Sequence, residues 1–102
     1  MDHLIKACKD ILADHYGHHF QGLVLFGSVA RDGNVETSDV DLLVLLTPPF
    51  DYFVELRKIT DLLYPVQLDS DKLISAKPAA KDAYDSGEIQ LYRNAQREGI
   101  AL

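Results

Sequence analysis

Apolar residues recur at helical spacing at the start of the chain. Leu4, Ile5, Cys8, Ile11, Leu12 and then His15 or Tyr16 fall on one face, which predicts an amphipathic helix over residues 3–16. Gly17 sits where such a helix stops. The period then changes. Leu23-Val24-Leu25-Phe26 is a short apolar run closed by Gly27-Ser28, the pattern of a buried strand. Residues 29–38 are mostly small and polar, with Gly33 and Asn34 as turn signals. Residues 40–46 read as a second buried strand, ended at Thr47-Pro48-Pro49 because proline has no N–H to give to a ladder.

Beyond the prolines, Phe53, Val54, Leu56, Ile59, Leu62 and Leu63 predict a second amphipathic helix over residues 51–63, broken at Pro65. Val66 and Leu68 then mark a third strand that extends as far as Leu73-Ile74. Pro78 to Tyr84 predicts a short helix stopped near Gly87. Ile89, Leu91, Tyr92 and Ala95 predict a last helix ending at Gly99, and Ile100-Ala101-Leu102 reads as an edge strand or a docked tail. No repeat or low-complexity tract interrupts the series. Strands alternate with helices, so the fold class is α/β (α+β): a small mixed sheet packed by helices.

Length and charge narrow the function. The 102 residues fit one domain, 1–102, with one modest core. The longest apolar run, Leu42 to Leu46, is too short to cross a bilayer, and Met1-Asp2-His3 opens no signal peptide. Cys8 is the single cysteine, which makes a reducing, cytoplasmic setting the expectation. A net charge of −6 disfavours direct contact with a long nucleic acid. The same acids could equally be cation ligands.

Three local features carry chemistry. Gly27-Ser28 directly follows a strand. There glycine lets a phosphate approach the backbone, and the serine hydroxyl and following N–H groups can donate to it. Strand-Gly-Ser alone is also ordinary turn chemistry. Asp39 and Asp41 lie two apart at the start of a strand, so they share a face. Adjacent carboxylates repel, and a divalent ion with oxygen preference, Mg²⁺ or Mn²⁺, removes that penalty. Asp-x-Asp alone also fits a strand end facing water. The ten residues between Ser28 and Asp39 are enough to bring the second strand back beside the first. A phosphate cradle then faces a carboxylate pair.

The stretch Leu25-Phe26-Gly27-Ser28-Val29-Ala30-Arg31, followed by Ser38-Asp39-Val40-Asp41-Leu42-Leu43-Val44, resembles the signature of the nucleotidyltransferase superfamily related to DNA polymerase β. Its spacing is that of the minimal nucleotidyltransferases (MNT), antitoxins paired with HEPN-domain toxins. The terminal Arg-Glu-Gly-Ile-Ala-Leu is similar to the family's usual ending. The resemblance implies a polymerase β-like nucleotidyltransferase fold. It implies that Gly27 and Ser28 hold the triphosphate, and that Arg31 sits near the phosphates or braces the loop. A surface salt bridge is the alternative for Arg31. It further implies that Asp39 and Asp41 bind Mg²⁺ and act in catalysis. Asp32 stands where many relatives carry a glycine, and Gly33 follows it.

The family's active members also present a third acid on the next strand, flanked by aliphatic residues. Val66-Gln67-Leu68 is the matching place on this reading, and an amide cannot serve as a base. Asp69 lies two residues on, about 7 Å along a regular strand, and is the candidate substitute. Asp71 is a poorer one, and both also fit a solvated turn. His15, His18 and His19 fit a helix C-terminus as readily as a metal site, and Cys8 reads as core. Tyr52, Phe53, Tyr64, Tyr84 and Tyr92 read mostly as core or interface.

The function these features point to, with the family resemblance, is nucleotidyl transfer. AMP would pass from Mg-ATP to a hydroxyl, a tyrosine of a HEPN-type toxin, with the chain acting as antitoxin alone or in a homo- or hetero-oligomer. The alternative is a catalytically weak or inactive module that neutralises its partner by binding. A small-molecule acceptor is a third reading, disfavoured by the domain's size.

Overall fold

A computed structural model describes residues 2–27 and 39–102. The expectations placed on Ser28, Arg31, Asp32, Gly33 and the rest of the 28–38 segment lie outside the described residues. Helix α1 spans Asp2–Tyr16, and its apolar stripe leaves Cys8 and Leu12 fully buried. Gly17 adopts φ +57°, a left-handed conformation that a β-carbon disfavours. A single 3₁₀ turn, Gly17–His19, then delivers the chain into β1.

Strand β1, Phe20–Phe26, begins three residues before the apolar run that predicted it. Those extra residues pair with the far end of β2 across an irregularity between Phe20 and Gly22. Strand β2 is Val40–Leu46, as expected, and is antiparallel to β1. Helix α2 starts at Tyr52, where the Asp51 carboxylate accepts from the N–H groups of Phe53 and Val54, both at 3.1 Å.

Helix α2 runs to Leu68 with Pro65 inside it, which overturns both the break at Pro65 and the strand at Val66–Leu68. An interior proline costs about 3 kcal/mol of helix stability. Leu63 is buried, and Leu62 and Val66 pack on the core, which offsets that cost at about 1.5–3 kcal/mol for each full burial. The third strand, β3, is Ile74–Ala80 and lies parallel to β2. The helix expected from Pro78 therefore starts only at Lys81, as α3, Lys81–Asp85. Pro78 is tolerated in β3 because the strand order is β3-β2-β1-β4 and β3 is an edge. Helix α4, Gln90–Glu98, and β4, Ile100–Ala101, close the fold, with β4 on the free edge of β1.

The sheet separates two apolar layers. Cys8, Leu12, Val40, Leu42, Val44, Leu46, Ile59 and Leu63 fill the layer under α1 and α2. Val24, Leu43, Leu45, Ala79 and Ala95 fill the one under α3 and α4. Tyr84 and Tyr92 pack on this second layer, whereas Tyr52, Phe53 and Tyr64 are exposed. No helix among the described residues is long and apolar enough to cross a membrane.

Candidate functional site

The antiparallel register sets Phe26 opposite Asp41, so the end of β1 meets the start of β2. Gly27 follows immediately and takes φ +82°. A β-carbon placed there would lie 2.5 Å from the Asp41 Oδ2 and 3.3 Å from its Cγ. The backbone at Gly27 is therefore seated on the Asp41 carboxylate, and both the dihedral and the close approach require glycine. This is a stricter demand than a plain turn imposes.

Val40 is fully buried in the α1/α2 layer. Strand alternation then turns Asp41 to the opposite face, along with Asp39 one residue before the strand. Asp39 is exposed and Asp41 half-buried. Burial pushes the Asp41 carboxyl above its usual range, the Asp39 charge pushes it further, and Lys77 pulls it back down. Asp41 thus carries an unfavourable charge that a cation would relieve. Two oxygen-donor carboxylates on one face, Asp39 and Asp41, fit a hard divalent cation such as Mg²⁺. Among the described residues no group of three or more His, Cys, Asp or Glu side chains is placed to hold a metal.

The premise for Asp69 does not hold. Asp69 is the C-cap of α2, not a strand residue on the Asp41 face. It lines a cavity of about 470 Å³ between α1 and the end of α2, with His3, Ala7, Val66 and Asp71, a place that includes neither Asp39 nor Asp41. Gln67 is also reassigned. Its Nε2 donates to the Lys72 carbonyl at 2.8 Å, and its Oε1 accepts from the Ile74 N–H at 2.8 Å. The amide pins the turn that starts β3 and is spent on that task.

The residue that stands beside Asp41 on the next strand is Ser75, its register partner. Lys77 follows on the same face, paired with Leu43. Sequence reasoning missed both, because it placed the strand too early. The available signal was Ile74-Ser75-Ala76, a polar residue flanked by apolar ones just beyond the expected extension at Leu73-Ile74. A groove of about 160 Å³ lies beside Gly27, lined by Phe26, Leu91, Asn94, Ala95 and Glu98.

Residues 5–85 match the family model described as "Nucleotidyltransferase domain". A relative from Methanocaldococcus jannaschii, provisionally named a protein adenylyltransferase, is 32% identical over 77 residues, covering 72% of this chain and 77% of its own. A solved structure described provisionally as a nucleotidyltransferase of Sulfolobus solfataricus superposes with a TM-score of 0.61 over 96% of this chain and 75% of that one, at 19% identity. That likeness is one of fold, in keeping with a polymerase β-like architecture.

Proposed function

The chain belongs to the nucleotidyltransferase domain family, and on that premise we propose that it transfers AMP from Mg-ATP to a hydroxyl of a partner protein. The observation that carries this reading is the seating of Gly27 on the Asp41 carboxylate. It sets the Gly27 backbone against one member of the carboxylate pair, where β1 ends and β2 begins.

In this reading Gly27, with Ser28 and Arg31, receives the triphosphate, and Asp39 and Asp41 hold Mg²⁺. The bound ion supplies charge neutralisation for the attacking and leaving oxygens. The acceptor oxygen forms a bond to the α-phosphorus, the bond from that phosphorus to the α–β bridging oxygen breaks, and pyrophosphate leaves. The hydroxyl proton must go elsewhere, and the β3 partner of Asp41 is a serine, not a carboxylate. A tyrosine acceptor suits this site because its phenol, with a pKa near 10, yields its proton to water more readily than an alcohol does. A HEPN-type toxin is the partner class we propose, and the acidic surface favours a basic protein over nucleic acid. Support for AMP and for a protein acceptor comes from the name carried by the Methanocaldococcus relative.

The second reading is a weakly catalytic module that silences its partner by binding. Ser75 and Lys77 in the place of a third acid favour it. Mass spectrometry of a HEPN-type toxin after incubation with ATP and Mg²⁺ separates the two. Added AMP that disappears with Asp39→Asn supports the transferase. A tight inhibitory complex with no added mass, unchanged by Asp39→Asn, supports the binding module and removes the transferase.

A further inference from the structure

We propose that Lys77 is a phosphate-contact residue of this site, standing in for the third carboxylate and trading cation affinity for nucleotide affinity. The inference rests on the nucleotide-site reading above and deepens it. Its basis is the placement of three neighbouring strands. Gly27 ends β1, Asp39 and Asp41 open β2, and Ser75 and Lys77 lie on β3, with β2 in the middle.

Paired residues on parallel strands share a face, and the burial of their neighbours fixes which face this is. Leu43, Leu45 and Ala79 lie in the α3/α4 layer, while Val40, Leu42, Ile74 and Ala76 pack on the opposite one. Asp41, Ser75 and Lys77 therefore project to the α3/α4 side, where Asp41 meets Gly27. Adjacent strands are about 4.8 Å apart and two residues add about 6.6 Å along the strand, a span that a lysine stem covers. Lys77 is exposed, and its charge already acts on Asp41. No carboxylate occupies the Ser75 position to compete for it.

A lysine there has two consequences of opposite sign. It repels a cation held by Asp39 and Asp41, and it attracts the oxygens of a bound triphosphate. A lysine that served only to protect an edge strand would change neither affinity.

The test uses the whole chain and two probes: Mn²⁺ alone, read by electron paramagnetic resonance, and α,β-methylene ATP, read by calorimetry with and without Mg²⁺. Lys77→Ala should weaken nucleotide binding about tenfold, the loss of one charge-assisted hydrogen bond, while Mn²⁺ binds several-fold more tightly, as expected when a nearby like charge is removed. Lys77→Arg should restore nucleotide affinity. Ser75→Asp should tighten Mn²⁺ binding further, by restoring a third oxygen ligand. If Lys77→Ala leaves nucleotide affinity unchanged, or weakens both ligands together, the assignment of Lys77 is wrong while the site stands. If the parent chain binds no nucleotide under any of these conditions, the site reading itself fails, and the role of Lys77 with it.

Discussion

Strands β2 and β3 lie side by side, parallel and in register over seven residue pairs from Val40↔Ile74 to Leu46↔Ala80, yet they do different work. β2 is Val40-Asp41-Leu42-Leu43-Val44-Leu45-Leu46, central in the sheet and buried except at Asp41. β3 is Ile74-Ser75-Ala76-Lys77-Pro78-Ala79-Ala80, an edge with small side chains and a proline. β2 supplies the core and the acids. β3 supplies neither bulk nor acid; it sets what stands next to the acids. A site built across two strands can change character through the edge strand, because its alanines add less apolar bulk to the core than the leucines of β2 and its Lys77 faces solvent.

The largest expected difference is in stability. Leu42 is fully buried within the α1/α2 layer. Leu42→Ala should cost about 3 kcal/mol in urea denaturation, whereas Lys77→Ala on β3 should cost under about 0.5 kcal/mol. A comparable cost at both positions would mean that Lys77 is tied into the packing and is not the solvent-facing position its exposure indicates. Next in size is Gly27→Ala. Its β-carbon would strike the Asp41 carboxylate from a positive-φ backbone. Destabilisation of about 2 kcal/mol should accompany loss of Mg·ATP binding. The stability part should shrink when Asp41 is also replaced by Ala. A double mutant as unstable as the sum of the singles would break the link between Gly27 and Asp41.

The same contrast explains which parts of the fold were legible. β2 was read to the residue because six of its seven side chains are large aliphatics bounded by Asp39 and the Thr47-Pro48-Pro49 stop. Helix α1, the stop at Gly17, the last helix and the edge strand at Ile100-Ala101 were legible for similar reasons: a clean period and a terminating glycine. β3 was not. Its alanines and proline carry little strand preference, and its conformation comes from pairing with β2 and from the Gln67 clamp on Ile74. Pro65 misled the reading because local cost was weighed without the burial of Leu63 and its neighbours. From that one displaced boundary followed the wrong role for Gln67, the misplacement of Asp69, and the failure to see Ser75 and Lys77. Within the site, the Gly27 and Asp41 pairing was legible from their spacing, while the neighbour on the third strand required the register.

The clamp gives the third prediction. Gln67 holds the turn into β3 through the Lys72 carbonyl and the Ile74 N–H. The Val40 N–H also donates to the Leu73 carbonyl at 2.9 Å, so this turn is tied to the start of β2 beside Asp39. Gln67→Ala should cost about 1–2 kcal/mol and loosen β3 in amide hydrogen exchange more than β2. Asp69→Ala, by contrast, should leave Mg·ATP affinity unchanged, since Asp69 caps α2 and lines a cavity that includes neither Asp39 nor Asp41. A strong loss of binding in Asp69→Ala would return Asp69 to the site and unseat Ser75 as the neighbour that matters.

The smallest effect is electrostatic and has the opposite sign. Burial, then Asp39, raise the Asp41 carboxyl above its usual value of 3.8, and Lys77 opposes them. An acid whose pKa is raised on folding holds its proton longer in the folded chain than in the unfolded one. Stability therefore declines as pH rises from the ordinary carboxylate value to the raised one, and the full cost persists above that window. Asp41→Asn has no such proton to lose. In chelator at neutral pH it should be more stable than the parent, by at most about 0.5 kcal/mol given solvent screening. The advantage should vanish below pH 3.8, where the parent carboxyl is protonated in both states. Adding Mg²⁺ should stabilise the parent and not Asp41→Asn. Because Lys77 on β3 supports the Asp41 charge on β2, Lys77→Gln should widen the gap between the parent and Asp41→Asn at neutral pH. A gap that is unchanged by Lys77→Gln, or already present at pH 3, would show that the two strands do not communicate through these charges.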